Sequence, residues 1–486
     1  MMRLSEVNDM EISDEIHALC QRYQALALSE SSQQLTVALH GDIPPTLVQA
    51  LRFAAGKSIV VEQWPLARLE QAQNQWRAPE IALQPEALED SAPSLNDDSD
   101  TPVVQFINQA LRHAIQRRAS DVHFEPYQQT LRVRLRIDGV LQAITSPPLS
   151  LAARITARLK IMGQLDITER RLPQDGQLSV QLDNTSFSMR ISTLPTLYGE
   201  KVVLRILQTD RQELLLEQLG MNQAELGLYA KALASPQGMI LVTGPTGSGK
   251  TVTLYSGLRQ LNDVQSNLCS VEDPIEIPVF GINQTQVNSK TELDFARVLR
   301  ALLRQDPDVI MIGEIRDRET AEIAVKAAQT GHLVLSTLHT NSTSETLTRL
   351  TQMGIPGYLL AACLKLIIAQ RLVRRLCSHC RSPHSETMRF PVNLWPEPLV
   401  PWSAAGCEHC FGGYYGRIGL YELLTITPEV QNALLQNASA VQLADIAQQQ
   451  GQMTLLQAGL ALVAQGITSL EEVYRVVGTT TDSEAI

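Results

Sequence analysis

The sequence predicts a multidomain α/β protein. It has a domain built on a parallel sheet, an α+β domain before it, and a metal-binding insert and C-terminal helical bundle after it. Three observations carry this. From Met221 onward strand and helix patterns alternate, as parallel strands with crossover helices require. A glycine-rich loop, Gly244-Pro-Thr-Gly-Ser-Gly-Lys250-Thr251, falls where one such strand gives way to a helix, and two C-x-x-C pairs interrupt the pattern further on.

At 486 residues the chain is too long for one core and predicts three or four compact units. Its 44% hydrophobic and 19% charged residues are those of an ordinary globular protein. Met1 to Glu15 is acidic and polar, unlike a signal peptide, which predicts a cytoplasmic chain. The apolar run Tyr358 to Val373 is too short for a membrane span and contains Lys365 and Arg371, so it predicts a buried helix. A net charge of −11 weighs against nucleic acid as the main partner.

Residues 1–84 form a small domain with a strand at Leu35–Leu39 and a helix at Pro45–Ala55, where Leu47, Leu51 and Ala54 share a face. Residues 85–101 hold six acids and no bases, the composition of a linker. In the α+β domain, residues 102–220, a helix from Val103 to Arg118 precedes Leu131, Val133, Leu135 and Ile137 alternating with Arg132, Arg134 and Arg136. Asp138-Gly139 then turns a hairpin into Val140. A second helix, Ser150 to Leu165, and strands at Gln177–Leu182, Ser186–Ser192 and Lys201–Leu207 complete it. The parallel-sheet domain spans 221–375, the cysteine insert 376–415 and the helical region 416–486.

Gly238 to Thr243 is a short buried strand running into a loop that satisfies G-x-x-x-x-G-K-[ST] at every position. Backbone N–H groups of Gly244, Pro245, Thr246, Gly247, Ser248, Gly249, Lys250 and Thr251, proline excepted, are expected to cradle the phosphates of ATP. Lys250 reaches the β and γ phosphates, and the Thr251 hydroxyl is a ligand for Mg²⁺. Asp308 to Glu314 reads as a second buried strand that delivers the Glu314 carboxylate at its C-terminal end, to hold Mg²⁺ through water or polarise the attacking water. Between them Ser270-Val-Glu272-Asp273-Pro-Ile-Glu276 gathers carboxylates that repel unless a cation or water joins them. Either Glu272 or Glu276 is the candidate general base. His332 and His339 flank an apolar run, and either imidazole is placed to sense a γ-phosphate.

Cys377-x-x-Cys380 and Cys407-x-x-Cys410, 26 residues apart, have the spacing of two knuckles closing one structural Zn²⁺. His379, His384 and His409 are substitute ligands in that reading. The lone Cys20, Cys269 and Cys363 are not expected to form disulfides in a chain without a secretion signal.

With these motifs stand Ala119-Ser-Asp121-Val-His123-Phe-Glu125-Pro126, Arg171-Leu-Pro-Gln-Asp175-Gly176, Gly313-Glu314-Ile-Arg316-Asp317 and Gly416-Arg417-Ile-Gly419-Leu-Tyr421-Glu422. Over about Arg118 to Val477 the chain resembles the secretion ATPases that drive type II secretion and type IV pilus assembly. The resemblance implies a RecA-like P-loop NTPase domain preceded by a PAS-like α+β domain, working as a homo-hexamer at the inner face of the bacterial inner membrane. It implies an inner-membrane platform protein and a membrane-anchored partner with a cytoplasmic domain, and pilins or pseudopilins as indirect partners. It implies too that Arg190 and Arg205, with Arg171 behind them, bring positive charge to the nucleotide. The Arg132, Arg134 and Arg136 stripe is expected to be a solvated sheet face. Pilus retraction motors resemble the chain but lack the four-cysteine insert, so assembly or secretion is expected over retraction. The motifs alone leave two other readings: a RecA-like nucleic-acid translocase and a slow, regulatory ATP-binding subunit.

Overall fold

A computed structural model describes residues 20, 25–30, 34–39, 45–55, 57–64, 102–144, 146–182, 185–207 and 215–478. The chain divides into two compact units, Met1–Ser91 and Ala92–Ile486. In the first, β1 (Leu26–Glu30) pairs antiparallel with β2 (Gln34–Leu39), and helix α1 (Pro45–Ala55) crosses to a parallel β3 (Ser58–Gln63). Leu35, Val37, Leu39, Leu47 and Leu51 are its core. The strand and helix expected here are both present. The expected linker, 85–101, lies outside the described residues, as do Met1 to Glu15.

The second unit opens with α2 (Pro102–Gln116), followed by β4 (Asp121–Pro126), β5 (Leu131–Ile137) and β6 (Val140–Ala143). Helix α3 (Ala152–Met162) leads to β7 (Gln174–Leu182), β8 (Thr185–Thr196) and β9 (Gly199–Ile206). The strands form one antiparallel sheet in the order β6-β5-β4-β9-β8-β7. Apolar residues of α2 and α3, among them Ile107, Leu111, Ile155 and Leu159, bury one face of it against Val133, Leu135 and Leu204. The period-two pattern of β5 sends its arginines to the other face, and these are not simply solvated. Buried Glu125 of β4 holds Arg132, Arg134 and Lys201, and buried Asp121 holds Arg136 and Arg205. Burial alone would raise the Glu125 pKa, but hydrogen bonds from Arg134 and Lys201 outweigh it and hold the carboxyl at about 2.

The parallel-sheet domain runs α4 (Gln223–Leu233), β10 (Gly238–Thr243), α5 (Lys250–Leu261), β11 (Leu268–Glu272), β12 (Ile282–Gln286), α6 (Phe295–Leu302), β13 (Val309–Ile312), α7 (Arg318–Gln329), β14 (Leu333–Leu338), α8 (Thr343–Gln352), α9 (Gly357–Cys363) and β15 (Leu364–Leu376). The insert adds a small hairpin, β16 (Arg381–Pro383) and β17 (Trp402–Ala404), and the chain returns as β18 (Tyr414–Thr425). The sheet order is β12-β11-β13-β14-β10-β15-β18, parallel except for the antiparallel β18. Strands lie on both sides of β10, so the loop after it opens at a topological switch point, where open α/β sheets bind ligands.

Two expectations are corrected. The run Tyr358–Val373 is not one buried helix: α9 ends at Cys363 and the remainder is β15, most of it buried between β10 and β18. A short apolar run buried on all sides does not show by periodicity which structure it forms. Residues 414–425, divided in the sequence reading between the insert and the helical region, are the last strand of the main sheet, with Leu376 opposite Tyr414 across the base of the insert.

The C-terminal helices are α10 (Pro428–Leu435), α11 (Ala440–Gln449), α12 (Leu455–Ala464) and α13 (Leu470–Val477). Thr427, Ser439, Thr454 and Ser469 cap their N-termini. Helices α10 and α11 bury Val430, Leu434 and Leu443 in the main core. Helices α12 and α13 bury Leu460, Val463 and Val473 beside Leu399 of the insert. Among the described residues no helix is long and apolar enough to cross a membrane.

Candidate functional site

The loop after β10 lines a cleft of about 500 Å³, together with the ends of β11, β13 and β14. Its backbone requires glycine at two points. Gly244 has φ +151°, and a Cβ there would meet the Gln370 carbonyl oxygen at 2.5 Å; Gly249 has φ +91°, and a Cβ there would meet Gln370 Nε2 at 2.8 Å. Thr246 to Thr251 line the cleft, and Lys250 and Thr251 open α5. The buried Lys250 ammonium donates to the carbonyl oxygens of Gly244 at 2.7 Å and Pro245 at 3.1 Å. Burial pulls its pKa down to about 8.

Opposite the loop, Glu314 follows β13. Burial favours its protonated form, but the Arg316 hydrogen bond and the charges of Arg316, His339 and Lys250 hold its pKa below the usual carboxylate range. Glu314 accepts a short hydrogen bond from Arg316 and lies 3.5 Å from His339 Nε2. Arg316 also stands 3.6 Å from Asp273, which links the acidic cluster to Glu314. Burial and the neighbouring Lys250 lower the pKa of His339, so the imidazole is neutral near pH 7.

The two candidate bases differ in their surroundings. Glu272 is buried, and its oxygens accept from Tyr255 Oη, from Ser270 Oγ at 2.6 Å and from Gln284 Nε2 at 3.1 Å. Glu276 lines the same cleft but is exposed, and among the described residues no protein donor engages its carboxylate.

His332 and His339 separate. His339 lines the cleft, whereas His332 precedes β14 at the opposite end of the sheet, its Nδ1 3.0 Å from the Ala327 carbonyl oxygen. A six-residue strand of about 20 Å lies between them, so only one of two similar sequence positions reaches the site. Arg190 and Arg205 also stand away from the cleft lining. They pair in register on β8 and β9, and Arg205 Nε lies 3.0 Å from Asp121. The arginines that do line the cleft are Arg316 and Arg417, neither a candidate from sequence. Gln370 and Arg371 of β15 were missed as well. Gln370 Oε1 accepts from Thr253 of α5 at 2.7 Å, and buried Arg371 donates to the Asn341 carbonyl oxygen at 3.0 Å. The available signal was a polar pair inside an apolar run.

The four cysteines of the insert converge, all Sγ atoms lying within 4.8 Å of one another. Cys377 to Cys407 is 3.8 Å, Cys380 to Cys410 3.7 Å and Cys407 to Cys410 3.6 Å. Four thiolates about 2.3 Å from a central zinc stand roughly 3.8 Å apart along each tetrahedral edge, so these residues fit the metal. The group is complete without His379, His384 or His409.

Residues 96–475 match the model of the family described as Type II/IV secretion system protein. The chain is 49% identical to the protein transport protein HofB homolog of Escherichia coli K12 over 465 residues, covering 96% of this chain and 98% of that protein. It is 52% identical to the type IV pilus assembly ATPase PilB of Pseudomonas aeruginosa over 383 residues, covering 78% and 68%. Among solved structures, the pilus retraction motor PilT with bound ADP matches at 26% identity and a TM-score of 0.52, covering 77% of this chain and 97% of that one.

Proposed function

Because the chain belongs to the type II/IV secretion system protein family, we propose that it hydrolyses ATP in the cleft beneath Gly244–Thr251 and uses the energy to assemble type IV pilus or type II pseudopilus subunits at the inner membrane. The observation that carries the reading is the meeting of Lys250, Thr251, Glu314 and His339 in one cleft at the switch point of the sheet. Gly244, Pro245, Thr246, Gly247, Ser248 and Gly249 wrap the phosphates, and Lys250 neutralises them. The Thr251 hydroxyl and Glu314 are the groups that hold Mg²⁺, which when bound offsets charge on the β and γ phosphates. Glu276 is the preferred base, because Glu272 already accepts from three donors. His339, neutral and beside Glu314, is the preferred sensor of the γ-phosphate. Arg190 and Arg205 reach the nucleotide when the α+β domain closes on the sheet. Zinc in the four-cysteine cluster is structural and leaves no open coordination position.

The working form is a homo-hexamer, peripheral on the cytoplasmic face of the inner membrane. Its partners are a platform protein, a membrane-anchored protein with a cytoplasmic domain and, through them, the pilins or pseudopilins. Assembly is favoured over retraction by the 52% identity to PilB against 26% to PilT. The test is paired. Lys250→Ala abolishes both ATP turnover and the fibre or the exported substrate, while Glu314→Ala retains ATP binding and loses turnover. Full turnover in Lys250→Ala would refute the assignment, and stimulation by DNA in place of a platform protein would revive the translocase reading.

A further inference from the structure

The α+β domain touches the parallel-sheet domain through the tip of its β5–β6 hairpin, at a point that leads straight into the cleft. Asp138 occupies the first turn position with φ +48° and Gly139 follows at φ +86°, so the two-residue turn directs the Asp138 carboxylate away from its own sheet. Oδ2 of Asp138 accepts a hydrogen bond from the Gly416 backbone N–H at 2.9 Å, and Oδ1 lies 3.9 Å from Arg417 Nε. The Asp138 side chain keeps only 13% of its exposure there. Two further contacts secure the same short segment: the Arg118 guanidinium stands 4.0 Å from the centre of the Tyr415 ring, and Arg117 5.2 Å from that of Phe411.

Arg417 lines the cleft. It lies on β18 opposite Arg374 of β15, two positions along from Leu372 opposite Gly419, and Leu372 is in van der Waals reach of a Cβ at Gly249. Its strand therefore borders the strand that supports the glycine-rich loop. Gly416 has φ +77°, with open space where a Cβ would stand. Gly416 falls at the irregularity of the β15–β18 ladder, between the pairs Arg374–Arg417 and Leu376–Tyr414, and among the described residues the backbone hydrogen bond that ties this point to the α+β domain is the one to Asp138.

We infer that Asp138 is a positioning residue for nucleotide binding: through the Gly416 N–H it holds Arg417 in the cleft and couples nucleotide occupancy to docking of the α+β domain. This rests on the nucleotide reading of the cleft. A guanidinium presented to a polyphosphate adds a charge-assisted contact, and such a contact strengthens binding only while its carrier is held in place. Coupling of this kind is reciprocal, so bound nucleotide tightens the Asp138–Gly416 contact to the same degree.

The experiment measures binding of a non-hydrolysable ATP analogue with Mg²⁺ by titration calorimetry on the full chain. It compares Asp138→Ala, Asp138→Asn, Arg417→Gln and the double variant Asp138→Ala/Arg417→Gln. Arg417→Gln is expected to weaken binding about tenfold. Asp138→Ala should weaken it several-fold, and Asp138→Asn, which keeps a carbonyl acceptor for Gly416, should recover most of that loss. Asp138→Ala should have little further effect once Arg417 is Gln. In the wild type, the analogue should slow amide hydrogen exchange in residues 414–417. Undiminished affinity in Asp138→Ala, losses that simply multiply in the double variant, or exchange at 414–417 indifferent to nucleotide would each overturn the coupling. Failure of the wild type to bind the analogue would instead refute the nucleotide reading itself.

Discussion

Glu472 supplies the sharpest test of how the C-terminal helices are joined to the sheet. It is 1% exposed, on α13, and its carboxylate accepts four hydrogen bonds from two arginines. Arg374 of β15 gives its backbone N–H at 3.0 Å and Nη2 at 2.8 Å, and Arg475 gives Nε at 2.7 Å and Nη2 at 2.6 Å. Glu472→Gln keeps the shape but turns one oxygen into an amide donor that faces guanidinium donors, and it leaves two cations without their counter-charge. Removing one partner from a buried ion pair costs about 3–5 kcal/mol, and the half-exposed Arg475 argues for the low end. A cost of about 3 kcal/mol, confined to α13 and its seam with β15, corresponds to roughly hundredfold faster amide exchange there. The pH dependence has a definite sign. Burial alone would raise the Glu472 pKa, but the hydrogen bonds of Arg475 and Arg374 outweigh it and lower it. The stabilisation is therefore complete above the unfolded carboxylate pKa of about 4.3 and fades as pH falls through the lower folded value. Hydrogen exchange followed by mass spectrometry from pH 7 downward should show this acid-sensitive loss of protection in the wild type and its absence in Glu472→Gln. Exchange in α13 within threefold of wild type would refute the argument.

Three further outcomes are expected. Cys410→Ser should drop bound zinc, read by elemental analysis, from one per chain to a small fraction, and loosen residues 377–413 in hydrogen exchange; a wild-type protein purified without chelator yet free of zinc would contradict the tetrahedral geometry. Gly249→Ala places a methyl against Gln370 and a side chain at φ +91°, a strain of about 1–2 kcal/mol at the mouth of the cleft; nucleotide affinity should fall at least tenfold with little change in melting temperature, and unchanged affinity would show that the loop can repack. Glu125→Ala leaves Arg132, Arg134 and Lys201 facing one another, so the α+β domain should melt lower, most clearly at low salt. Because Glu125 titrates at about 2 in the fold, its contribution is present above about 4.3 and is lost between there and about pH 2; equal melting temperatures at pH 7 would refute its role.

The loop Gly244–Thr251 and the four cysteines were legible because each motif is short in sequence and its chemistry needs no distant partner. The β5–β6 hairpin and the helices α2 and α3 were legible from periodicity and turn chemistry. What the sequence does not carry is which end of a strand faces the site. His332 and His339 read alike, but a parallel strand has one end at the cleft and the other across the sheet. The nature of β15 was hidden for a related reason: most of it is buried between two neighbours, so it lacks the alternation that marks a half-exposed strand. Gln370 and Arg371 come beside the loop through the pairing of β10 with β15, strands more than a hundred residues apart along the chain, and Arg417 enters the cleft through the further pairing of β15 with β18. Arg190 and Arg205, prominent in their motifs, stand on the sheet of the α+β domain outside the cleft lining, and Arg205 is paired there with Asp121.

The pairing of Leu376 with Tyr414 also bears on how such a chain can change over generations. The insert leaves and re-enters between adjacent antiparallel strands, so its two ends are already neighbours and a tight turn could close them without disturbing the register of either strand. Excision is nonetheless not free. Phe390, Leu394, Trp395 and Leu399 of the insert pack against Leu456, Leu460, Val463 and Val473 of the last two helices. A descendant that lost the cysteines would have to lose those helices or recolour their faces with polar side chains. Gain and loss of the metal module and of the C-terminal helices should therefore travel together across the lineage.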